Sequence, residues 1–235
     1  NDYCEYDSPP EDGWKSIRWV ALNQIGAVYL SQFVAGDLTK FEAARDTLLQ
    51  VTNAYETDFG LAFDDEPAAA AASSFNLGRL FAARASIAEG AVDLVALLDA
   101  EGHYRECVRI MGDADSGIAM NRTDGLPWIC HLAIGDVNRR MYRETDDVRR
   151  VNTAIEAYQV VLNAYNGGEI ANAQLANELF AQSAFGLGAA YAMLGDVENA
   201  VTWLDGAIAA GTGMQDIQEQ AELLLEEVNG EVVGD

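Results

Sequence analysis

Apolar residues recur at three- and four-residue intervals along almost the whole of this chain, and the alternation expected of a half-buried strand is nearly absent. That period admits little except α-helix. With the stop and turn signals it predicts helices over 14–33, 40–57, 73–100, 103–113, 127–143, 147–164, 174–194, 197–210 and 215–228. The predicted breaks fall at Gly36-Asp37, Asp64-Asp65-Glu66-Pro67, Gly102, the stretch Gly112 to Pro127, Gly167-Gly168 and Gly195-Asp196. Long helices are followed by shorter partners across tight turns, so the chain reads as an array of helical hairpins.

Charge narrows the partners. Among 235 residues, 38 acids face 14 bases, a net charge of −24. Such a field repels phosphate backbones and anionic membrane surfaces, which argues against nucleic-acid binding. The longest uncharged apolar run, Ala184 to Gly195, is too short to span a bilayer, so no membrane insertion is expected. Half the residues are hydrophobic, which excludes a disordered tail. Only Lys15 and Lys40 are lysines; the other bases are arginines, a balance that suits salty or extracellular surroundings. The sequence starts at Asn1 without an apolar leader, as expected if a secretion signal has been removed, and the expected location is extracellular or periplasmic.

The clearest internal pattern lies in Ala184, Leu187, Gly188, Tyr191, Gly195, Ala200, Leu204 and Ala207. Gly188 and Ala200 are small enough for two helices to approach, while Leu187, Tyr191 and Leu204 fill the seam. This spacing resembles the tetratricopeptide repeat, a helix pair of about 34 residues; the usual terminal proline is replaced by Thr212. Weaker copies run through Ile25, Gly26, Tyr29, Ala44, Leu48 and Val51, and through Leu94, Val95, Leu98, Gly102, Cys107, Met111 and Ala114. Ala154, Tyr158 and Val161 supply a second helix after the one holding Trp128.

The resemblance implies an all-α, right-handed solenoid of about four tetratricopeptide-like hairpins over 14–212. A 1–13 extension precedes it, and 213–235 forms a capping helix and tail with Ile217, Ala221, Leu224, Leu225 and Val228 on one stripe. It also implies a concave groove with Gln182, Phe185, Ala189, Ala192 and Met193 at its inner positions. None is basic, which disfavours a carboxylate-clamping groove, and packing against the next helix accounts for the same residues equally well.

Few residues carry chemistry. There is no nucleophile elbow, phosphate-cradling loop or dinucleotide fingerprint, and no residue stands out as catalytic, so no enzyme activity and no cofactor are expected. Counting acids alone leaves a glycosidase-type carboxylate pair open. His103 and Cys107 have ligand spacing, but Cys107 takes a small-residue position, and the neighbours Cys130 and His131 diverge by about 100° on a helix. No metal is therefore expected. In stacked hairpins the second helix of one unit packs on the first of the next, so Cys107 and Cys130 are favoured slightly as a disulfide. Cys4 is left as a free thiol, a link to another chain or an alternative internal partner. Asp113 and Asp115 open like a calcium loop, which then fails at Gly117, Ile118 and Asp124; Asn121-Arg122-Thr123 fits a glycosylation sequon.

Arg139, Arg140, Arg143, Arg149 and Arg150 crowd into one short stretch. They read either as local partners of Glu144, Asp146 and Asp147 or as an electropositive patch that meets an acidic surface of a second copy. The expected function is an exported, non-enzymatic interaction protein whose partner is itself. The alternatives are a periplasmic adaptor of a transporter or secretion system that binds a ligand or peptide, and an acid-rich cytosolic adaptor.

Overall fold

The computed structural model describes residues 11–57, 66–87, 92–112, 125–211 and 213–233. Among them are nine α-helices and no strand: α1 Glu11–Val34, α2 Lys40–Thr57, α3 Glu66–Ile87, α4 Leu94–Gly112, α5 Leu126–Thr145, α6 Val148–Asn166, α7 Ala173–Met193, α8 Val197–Ala210 and α9 Gln215–Val233. The chain is all-α.

The helices pair in sequence order, α1 with α2, α3 with α4, α5 with α6 and α7 with α8. The second helix of each pair also packs on the next first helix, as α4 does on α5 and α8 on α9. First helices touch one another as well, α1 on α3, α5 on α7 and α7 on α9. Side chains seal the helix starts: Asp147, Asn172 and Asp196 accept hydrogen bonds from the backbone N–H groups of Arg149, Leu175 and Asn199.

One dipeptide step recurs near the middle of all four first helices: Ile25-Gly26, Leu77-Gly78, Ile134-Gly135 and Leu187-Gly188. At each glycine a large side chain from the partner helix fills the space of the missing Cβ, namely Leu48, Tyr104, Tyr158 and Leu204. A Cβ added there would meet that side chain at less than 3.0 Å. The glycines thus set how closely each pair approaches, since interiors leave no spare volume. The four steps fall 52, 57 and 53 residues apart (26 to 78, 78 to 135, 135 to 188), longer than the roughly 34 residues of a tetratricopeptide unit.

The core runs through these seams. Leu30, Leu48, Leu77, Leu80 and Leu97 belong to a cluster spanning α1 to α6, and Tyr158, Val161, Leu162, Leu179 and Leu187 to a second. Burying a leucine such as Leu48 or Leu77 contributes about 2–3 kcal/mol.

Two expected boundaries are corrected. The periodicity predicts one helix over 73–100 and a turn at Gly102, whereas α3 ends at Ile87 and α4 runs from Leu94 straight through Gly102. Asp93 accounts for the shift: its carboxylate accepts the backbone N–H of Ala96 at 3.0 Å and so starts a new helix there. Gly102 is exposed, with open space where its side chain would be, and a lone glycine costs a helix only about 1 kcal/mol. The start of α3 also moves from 73 back to Glu66, since Pro67 in a first turn gives up no hydrogen bond.

Candidate functional site

The five clustered arginines turn to different neighbours. Arg140 reaches from α5 to α3, donating to the Ala82 carbonyl at 3.3 Å and to the Ser86 hydroxyl at 3.0 Å. Arg139 lies 3.5 Å from Asp136 and stacks its guanidinium 5.4 Å from the centre of the Phe185 ring on α7; only 15% of its side chain is exposed. Arg150 reaches from α6 to the buried Glu101 of α4 at 2.9 Å and to Asn138 of α5 at 3.3 Å. The other Glu101 oxygen accepts Arg105 at 2.7 Å. Arg149 pairs with Asp147 at 2.8 Å in open solvent, and Arg143 is held below the usual arginine range by burial and by the neighbouring Arg139 and Arg140. Three of the five therefore tie helices together.

Tyr158 sits at the centre of this region. Its ring occupies the notches of Gly135 and Gly186, and its hydroxyl donates to Asp136 at 2.8 Å. Packing around Asp136 raises its carboxyl, against the opposing pull of Arg139 and the Tyr158 hydroxyl. Half of that side chain still meets solvent, so water screens the shift. Burial pushes the Tyr158 phenol well above its ordinary range. It is a structural anchor, kept neutral.

The groove positions on α7 face mixed surroundings. Gln182 is exposed, Phe185 lies under Arg139, and Ala189 is buried. Ala192 and Met193 are half-buried, and the Met193 carbonyl accepts the Tyr142 hydroxyl of α5 at 3.1 Å. Phe185 and Met193 thus meet the neighbouring helix α5.

Cys107 and Cys130 come together as the helix assignment implied, in a buried cluster with Ala70, Ala71, Ile110 and Met111. The expected bridge is corrected: both are free thiols, hydrogen-bonded to each other. Burial first, then the neighbouring sulfur, drives the Cys130 thiol far up, so neither ionisation nor attack on an oxidant is easy in the folded state. Among the described residues no three His, Cys, Asp or Glu side chains cluster to hold a metal ion. His103 instead stacks on Phe81, with ring centres 5.4 Å apart. Cys4, the Asp113–Asp124 stretch and the Asn121 sequon lie outside the described residues.

Two surfaces escaped the sequence reading. One is a cleft of about 360 Å³ between α4, α5 and α6, floored by Val108, Ile134, Ala157 and Val160 and edged by Arg105 and His131. Burial, helped by Arg105, lowers the His131 pKa, so this imidazole is neutral at pH 7. The other is the outer face of α1, where Val20, Gln24, Val28, Ser31 and Ala35 form one exposed stripe; Val28 is 55% and Val34 57% exposed. A detectable signal lay in the charges. No acid occurs between Asp12 and Asp37, and residues 151–235 hold 13 acids and no lysine, arginine or histidine. No described helix is long and apolar enough to cross a membrane. Compared with protein-family models, curated proteins and solved structures, the chain matches none.

Proposed function

We propose that this chain is a non-enzymatic, tetratricopeptide-like helical-repeat protein that binds proteins, and that its principal partner is itself, in a homo-oligomer or extracellular filament. In this reading the four helix pairs are stacked hairpins of a right-handed solenoid and α9 is the cap. The observation that carries it is the outer face of α1, which leaves valines in water at one end of the helix order. Exposed apolar faces of this kind mark interaction surfaces. Export is supported by the acid excess and the scarcity of lysine, which suit a chain working outside the cell. Light scattering and negative-stain microscopy of purified protein over a dilution series test the reading. Assembly that grows with concentration supports it, and a monodisperse monomer throughout refutes it.

The cleft between α4, α5 and α6 favours a second reading, an adaptor holding a small ligand or peptide against Val108 and Ile134, with Arg105, paired to Glu101, at its edge. A monomer that binds a small amphiphile, with binding lost on Ile134→Asp, would select this reading over assembly.

A further inference from the structure

The two ends of the helix order differ in chemistry. At one end, α1 packs on α2 and α3 and turns a stripe outward through Val20, Gln24, Val28, Ser31 and Ala35. A shallow trough follows that stripe, formed by Gln24, Ala27, Val28, Ser31, Gln32 and Ala35. Arg18 is exposed at the start of the same helix, and the acid-free stretch between Asp12 and Asp37 gives it no near carboxylate in sequence. At the other end, α9 packs on α8 and α7 through Ala221 and Val228. Its opposite side carries Asp216, Glu219, Glu222, Glu226 and Glu227, all exposed, around Leu223, whose exposure reaches 68%.

Resting on the self-assembly reading above, we infer that the α1 face of one copy docks on the α9 face of the next. Three pairings are available, and charge separates them. Joining α9 to α9 sets five carboxylates against five with no base nearby, since no lysine, arginine or histidine follows Arg150. Like charges brought together in this way cost several kcal/mol in aggregate. Joining α1 to α1 buries valine on valine but leaves every α9 carboxylate unmatched and sets the two Arg18 groups on like faces. Joining α1 to α9 places cationic Arg18 in the acid-rich field and covers Val20, Val28 and Leu223 together. The central arginines do not compete for those carboxylates, because Arg139, Arg140 and Arg150 are already engaged within the chain.

The contact joins two different patches, so each copy added offers a fresh α9, and the assembly extends as an open chain unless its rotation happens to close a ring. Its strength is bounded by size. A helix of 24 residues is about 36 Å long, and at about 10 Å wide it offers about 360 Å² per copy, about 720 Å² in total, which is below the roughly 1,000 Å² of a stable interface, so each contact is weak and transient. Growth therefore falls steeply on dilution.

Size-exclusion chromatography with light scattering on two full-length variants tests the orientation. Val28→Asp blocks α1, and the pair Glu219→Lys with Glu226→Lys reverses α9; all three positions are exposed, and circular dichroism verifies that each variant remains helical. The expected result is that each variant alone is a monomer, while the equimolar mixture forms a dimer and nothing larger. Wild-type assembly that survives either variant overturns the α1-to-α9 contact while leaving self-assembly standing, and so does a mixture that stays monomeric. A wild type that is monomeric at every concentration instead refutes the underlying reading.

Discussion

Replacing Gly135 and Gly102 by alanine, one at a time, should move stability in opposite directions. Both lie inside helices, α5 and α4, and neither adopts a left-handed backbone, so each gains about 0.5–1 kcal/mol from the lower backbone entropy of alanine in the unfolded chain. At Gly102 nothing stands within 4 Å of the new methyl, so the gain survives. At Gly135 the methyl falls on the Tyr158 ring, which is hemmed in by Gly186 on the far side and tethered to Asp136 at 2.8 Å. A ring so placed has little room to withdraw. Overpacking of this kind costs about 1–3 kcal/mol, leaving a net loss of up to about 2.5 kcal/mol for Gly135→Ala. In a chain of this length that is a fall of up to about 10 °C in Tm, against a rise of about 1–4 °C for Gly102→Ala. Urea unfolding followed by far-ultraviolet circular dichroism reads both, with an unchanged slope showing that each shift in midpoint is a change in stability. Adding Tyr158→Leu to Gly135→Ala should cost less than the sum of the two single changes, because the leucine vacates the contested space. The same rise in midpoint for both glycine variants, or strict additivity in the double variant, would refute the idea that glycine notches set the helix spacing.

Three further outcomes follow from the buried groups. His103 and His131 have lowered pKa values because burial disfavours the imidazolium, so below about 6.5 the unfolded chain binds more protons and stability falls as pH drops; urea midpoints between pH 7.5 and 5.5 should decline, and a double His→Gln variant should flatten that decline. Arg150→Ala strips one partner from Glu101, a carboxylate with only 10% of its side chain exposed, and should destabilise the fold by about 2–3 kcal/mol in the same assay, whereas Arg149→Ala, exposed beside Asp147, should stay within about 0.5 kcal/mol. Cys107 and Cys130 should resist an alkylating reagent in the native protein and react together once urea unfolds it, as intact mass will show; rapid labelling of the folded chain would contradict their burial.

Local chemistry carried the helical class, most helix limits and the partner seam in α7 and α8, because period, caps and turns act over four or five residues. Gly188, Ala200 and Leu204 were legible as a close pair for that reason. The recurrence at Leu77-Gly78 and Ile134-Gly135 was harder to see, since the partners Tyr104 and Tyr158 stand more than twenty positions away at unequal separations. Asp93 shows the same limit at short range: a cap inside a long apolar run looks like one more helical residue until its carboxylate is seen on the Ala96 amide.

Pattern and count along the chain were enough for the all-helical class and the acid excess, and they slightly favoured a meeting of Cys107 with Cys130 on adjoining helices. What the arginines between 139 and 150 do, that the two sulfurs meet as thiols, and that valines on α1 stay in water all depend on packing between helices far apart in the chain. A guanidinium looks the same in sequence whether it faces solvent or braces a neighbouring helix. Its partners, the Ala82 carbonyl and Glu101, lie about fifty residues away and are brought close by packing alone.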